Sequence, residues 1–205
     1  MPKSPTKRRP LTVAALGESA LALFTERGFH ATSVSDIVSR AGLTRGAFYS
    51  NFRDKEELFL SLYDAHADRL LEELTCRAEA VGGTPDPVAG LFDQLAAHNE
   101  QERAWFLVSM EFTLHAARNP EVARALAVHE ERLNTGIADI LTRCLERTGR
   151  APEVSALTLA RLVVAFFEGL TAQEVTHAGD HDTPALVHRA LPHLVQALSR
   201  PDEHG

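Results

Sequence analysis

The sequence predicts an all-α protein: an N-terminal three-helix head with a helix-turn-helix pattern, then a C-terminal helical bundle. Three observations predict the helices. Apolar residues recur at offsets of three, four and seven along most of the chain, the period of one helix face. No stretch alternates convincingly with period two, and no internal repeat is present. Glycine or proline marks the main breaks between the periodic runs, at Gly28, Gly42, 82–87, Pro120 and Gly149.

The elements follow in order. Residues 1–10 carry three prolines and four bases and read as a mobile basic arm. Val13, Leu16, Ala20, Leu23 and Phe24 define the inner face of a first helix, which Gly28 ends after Arg27. Ser33 with Asp36 three residues on forms a capping-box-like start. Val34, Ile37, Val38 and Ala41 then form the stripe of a second helix, closed by Gly42. Thr44 is an N-cap for a short third helix carrying Phe48 and Phe52 at helical spacing. Tyr49 follows Phe48 directly and so cannot share its face. Asp54 opens a fourth helix, with acids in its first turn as the macrodipole favours, running to about Val81. GGTPDP at 82–87 is the clearest break. A helix with Leu91, Phe92 and Leu95 follows, then one from about Arg103 to Asn119-Pro120, then one over 121–147. Pro152 suits the start of the next, over 153–177, and 185–199 closes the chain, with Pro192 expected to kink it. The segments so defined are 1–10, 11–55 and 56–200.

Composition sets the class. Hydrophobic residues make up 44% and charged residues 24% of 205, ordinary for a globular chain. No apolar run is read as approaching the ~20 residues that span a bilayer, and no signal peptide is recognisable. A cytoplasmic protein without membrane contact is expected. Cys76 and Cys144 stand alone, without zinc or redox spacing. His177 and His181 are four apart, but Gly179 and Asp180 between them spoil a helical ligand pair, so no metal and no cofactor is expected. The formal charge is −7, unevenly spread. Residues 1–55 hold nine Lys/Arg against four Asp/Glu, net +5, and the remainder nets −12. A basic head on an acidic body is the pattern of a polyanion-binding module attached to something else.

Two short helices joined by a tight turn form a helix-turn-helix pattern. A helix entering the ~12 Å major groove needs apolar anchors behind and donors in front. Phe48 and Phe52 supply the anchors. Thr44, Arg45, Tyr49 and Asn51 supply the outer face, and Gly46 and Ala47 keep the backbone close to the bases. Arg45 suits a bidentate contact to guanine. Lys55, Thr32 and Ser33 lie at helix N-termini, where phosphate is favoured.

The run ALFTERGFHATSVSDIVSRAGLTRGAFYSNFRDKEELF, residues 22–59, resembles the DNA-binding head of the tetracycline-repressor (TetR) family of bacterial regulators. Many spaced positions agree together across the whole run. That family usually has His where this chain has Asn51. The resemblance implies double-stranded DNA with a palindromic operator as partner, a small-molecule effector, and a homodimer. It implies a ligand cavity within 58–180, for which Phe92, Trp105, Phe106, Met110, His115, Phe166 and Phe167 are candidates. Glu111, Glu168 and Gln173 are nearby polar groups, the glutamates suited to a cation. The last two helices are the expected dimer seam, through Phe167, Leu170, Thr171, Leu191, Leu194 and Leu198. Two other classes compete. A non-specific architectural DNA-binding protein needs a basic face throughout, which the −12 body opposes. An enzyme lacks G-x-S-x-G, H-E-x-x-H and P-loop motifs here.

Overall fold

Side-chain capping and two left-handed glycines shape the first helices. The computed structural model describes residues 8–93, 100–177 and 183–202. Helix α1 (Arg8–Arg27) stops where Gly28 takes φ +85°, with its N–H on Phe24 O at 2.8 Å. Helix α2 (Val34–Arg40) starts at Ser33 with both halves of a capping box present. Gly42 turns the chain at φ +65°, and α3 (Arg45–Tyr49) begins at the Thr44 cap. Then come α4 (Lys55–Ala80), α5 (Pro87–Asp93), α6 (Glu100–Ala117), α7 (Pro120–Glu146), α8 (Ala156–Thr176) and α9 (Thr183–Ala197).

Several boundaries differ from the sequence expectation. α1 starts at Arg8, inside the expected arm, and α6 starts before Arg103. Leu95, His181 and residues 1–7 lie outside the described residues. Pro152 does not open α8. It ends a short strand, β1 (Arg150–Pro152), antiparallel to β2 (Ser199–Pro201), and Ser155 caps α8 instead. Three-residue strands are too short to show period-two alternation, so the sequence carries no sign of them. The Arg150 guanidinium donates to Ser199 Oγ and to the carbonyls of Ser199 and Gln196, tying off the end of α9. α8 is, by length and composition, long and apolar enough to cross a membrane, against the expectation of no such run. Its inner face is part of a packed core, and its Arg161 pairs with Glu131 of α7.

The chain forms two compact units: residues 1–66 with 107–129, and residues 67–106 with 130–205. α4, α6 and α7 each begin in one and end in the other. In the first unit, Leu16, Ala20, Leu23 and Phe24 of α1 are buried with Ile37, Val38, Phe48, Phe52, Leu58 and Phe59. The Phe59 ring stacks on Phe112 of α6 at 3.8 Å, and Phe29 meets Phe112 edge-on at 5.1 Å. His129 of α7 bonds Asp64 of α4 at 2.7 Å. In the second unit, the core gathers Leu91 and Phe92, then Ile137 and Leu141, Leu159 and Val163, and Leu191 and Val195.

Candidate nucleic-acid interface

A five-residue helix is not stable alone, so packing must hold α3. Phe48 is 0% exposed and Phe52 is buried with it, the rings 5.8 Å apart. Each buried phenyl contributes roughly 1.5–3 kcal/mol. Ala47 N–H donates to Thr44 Oγ1 at 3.2 Å, and Leu43 N–H to Val38 O at 2.9 Å, closing the turn between α2 and α3. Tyr49 is 52% exposed and crosses the Phe48 ring edge-on at 5.3 Å. Thr44, Arg45 and Gly46 share its exposure. A methyl added at Gly46 would meet nothing closer than Thr44 Oγ1 at 3.7 Å. The chain's own packing therefore does not demand a glycine there.

The basic residues divide into free and occupied. Arg40 pairs with Glu26 at 2.7 Å, Arg53 with Asp54 at 2.7 Å, and Arg27 lies 3.9 Å from Asp36. Asp54's hydrogen bond raises the Arg53 guanidinium's pKa further. Arg45 is exposed and makes no ion pair among the described residues. It is the α2–α3 base whose charge is uncommitted.

Three residues expected at phosphate or base edges are arranged differently. Thr32 is buried, and its hydroxyl donates to Gly28 O at 2.9 Å. Lys55 Nζ turns inward, donating to Phe29 O at 2.6 Å and Thr32 O at 2.8 Å, 4.2 Å from the Phe29 ring centroid. Burial lowers its pKa. Both side chains staple the α1–α2 turn instead of facing solvent. The Asn51 amide donates to Ala47 O at 2.8 Å and Ser50 Oγ at 3.3 Å, so its donors close α3 rather than project from it. Ser33 is exposed. Its hydroxyl donates to Asp36 Oδ2 at 2.5 Å and accepts from Asp36 N–H at 3.2 Å.

The candidate ligand residues do not gather into one unit. Met110 and His115 fall in the first, and Phe92, Trp105, Phe106, Phe166 and Phe167 in the second. Phe92 is core, Phe167 packs on that core, and Phe166 reaches the surface. His115 faces Glu56, with Nε2 3.2 Å from Oε1. Of the expected seam, Leu170, Thr171 and Leu191 are buried within the protomer itself, and Leu194 and Leu198 pack on the same core. The outward side of α8 carries Leu162, Phe166 and Gly169 instead, a stripe at i, i+4 and i+7.

Residues 16–62 match the profile of bacterial regulatory proteins of the tetR family, and residues 86–199 that of the BetI-type transcriptional repressor C-terminal domain. The chain belongs to the TetR family. The HTH-type transcriptional regulator YezE of Bacillus subtilis (strain 168) is 24% identical over 184 residues, covering 85% of this chain and 94% of that protein. YerO of the same strain is 33% identical over 86 residues, 42% of this chain and 29% of its own length. This chain thus matches under a third of YerO. Among solved structures, the transcriptional regulator FadR from Bacillus subtilis in complex with stearoyl-CoA has a TM-score of 0.68 at 18% identity. The match covers 89% of this chain and 97% of that one. At that identity the likeness concerns the fold alone. This TetR-family regulator is a DNA-binding transcriptional regulator with an all-α fold, and its helix-turn-helix is α2–α3.

Proposed function

We propose that this TetR-family regulator is a cytoplasmic repressor that binds a palindromic operator as a homodimer and is released by a small molecule. One observation carries the DNA reading: α3 buries Phe48 completely and turns Thr44, Arg45, Gly46 and Tyr49 outward. That surface has one uncommitted cation, a groove-filling phenol, and a glycine that the protomer's packing leaves open. The dimer reading rests on the exposed apolar stripe of α8. A twofold pair places two recognition helices about 34–36 Å apart on one face of DNA.

Ligand binding finds support in the second unit. Among the described residues, the buried side-chain polar atoms without a partner are Asn134 Oδ1 and Glu174 Oε2. Each is an acceptor of the kind that an effector's N–H or O–H group satisfies. Effector and operator then oppose each other by linkage, each weakening the other by the same factor.

Selection of binding sites from a random duplex pool at near-physiological salt tests the DNA reading. A recovered inverted repeat, bound at twice the chain's mass, is the expected result. A protein that held every duplex equally, with affinity collapsing in moderate salt, would instead be the architectural alternative.

A further inference from the structure

α6 turns Val108, Phe112 and Ala116 inward over its last two turns, and at i+3 and i+7 the exposed Glu111 and the half-buried His115 flank that buried row. That face meets the turn between α1 and α2. Glu111 Oε2 accepts the Phe29 N–H at 2.7 Å. The carboxylate can sit there because residue 28 is glycine. A Cβ at Gly28 would lie 2.8 Å from Oε2 and 2.9 Å from Oε1, and φ is +85°. His115 reaches Glu56, the second residue of α4, while Asn119 Nδ2 donates to His115 O at 2.7 Å. From the other side, Lys55 donates to Phe29 O. The Phe29 backbone is thus held at its N–H by α6 and at its C=O by α4.

The apolar contacts around Phe29 cannot set direction. Its ring meets Phe24, Phe59, Phe112 and His115 at 5.1–5.8 Å, and burial is non-directional. A carboxylate on a single N–H is directional and charge-assisted. We propose that Glu111 is a positioning residue for operator recognition: it fixes the helix-turn-helix on the end of α6 and thereby sets which half-site spacing the dimer accepts. The proposal rests on the dimeric, palindromic reading above. It concerns how tightly the register of each head is held, not contact with DNA.

Glu111→Ala and Glu111→Gln remove the same charge, but Gln keeps an acceptor for Phe29 N–H. The probe is the selected palindrome and a series with its half-sites moved by one and two base pairs. Wild-type protein should prefer the native spacing by about tenfold or more, the scale of one charge-assisted hydrogen bond. Failure at that first step indicts the palindromic reading, not Glu111. Given that preference, Glu111→Ala should flatten it to within about threefold, and Glu111→Gln should retain it. A merely structural role would lower the melting temperature of Glu111→Ala and leave the spacing preference intact, which overturns the proposal. Equal loss in both variants, an effect of charge alone, overturns it too. Should Glu111→Ala not fold, Glu111→Asp, one methylene too short to reach Phe29 N–H, must flatten the preference in its place.

Discussion

Helices α3 and α8 each leave an aromatic ring at the surface, and their neighbours make the two surfaces opposite in kind. Around Tyr49 stand a hydroxyl, a guanidinium and a glycine. Around Phe166 stand Leu162 and Gly169, apolar and bare. Exposure of an aromatic residue by itself is uninformative. What separates a polar reader from a self-association face is whether donors or methyl groups surround the ring. The comparison also separates the anchors. Phe48 fixes α3 from behind, while Val163, Leu170 and Thr171 fix α8, so each outer surface can be altered without emptying a core.

The largest expected effect comes from making the α8 stripe resemble the α3 surface. Leu162→Glu with Phe166→Glu would bury unpaired charge in a dimer seam, at about 3–5 kcal/mol. Sedimentation should show a monomer, and operator affinity should fall by roughly a hundredfold or more, with helicity by circular dichroism retained. A dimer that persisted would move the seam elsewhere. Next is the contrast within α3. Phe48→Ala should cost about 3–5 kcal/mol of stability, since it empties a fully buried site. Tyr49→Ala should weaken operator binding and leave the melt unchanged. Reversal of those two results would invert the faces assigned to α3.

A smaller effect separates two cations ten residues apart. Arg45→Ala should cost about 1–3 kcal/mol of discrimination at one base position. If it also touches phosphate, the slope of log affinity against log salt falls by up to about 0.9. Lys55→Met should leave that slope unchanged and lower the melting temperature, because Phe29 O and Thr32 O lose their donor. A Lys55→Met slope reduced by a full unit would put Lys55 on DNA after all.

The head was legible because its logic is local. Helix period, caps and the Phe48/Phe52 spacing are all read within a few residues, and the resemblance over 22–59 added the partner. What escaped depends on distant chain. Lys55 lies 26 residues from the carbonyl it caps, and Glu111 lies 82 from the N–H it accepts. A lysine after a turn looks the same whether it points to solvent or to a backbone. α8 is ambiguous for another reason: LARLVVAFFEGL is apolar almost all round, so its pattern cannot say which leucines face the core. Leu170 went inward and Leu162 outward. His115 is a similar case, since its partner Glu56 is 59 residues away.

The smallest effect lies at the start of α2. The Ser33 hydroxyl, then the Ser33 N–H, hold the Asp36 carboxyl below its ordinary pKa, with Arg27 adding a little. A carboxyl lowered in the folded state contributes stability that is present above its unfolded pKa, about 3.9. That contribution fades as pH falls through the lower folded value. Asp36→Asn should therefore melt below wild type at neutral pH, and the two curves should converge as pH drops below about 4. Ser33→Ala, which removes the cap acceptor, should cost about 0.5–2 kcal/mol and retain part of that loss in acid, because Asp36 N–H still lacks its partner. Parallel melting curves for Asp36→Asn and wild type down to the acid limit would mean that the capping box is a geometric feature only, and that α2 is held by Ile37 and Val38 alone.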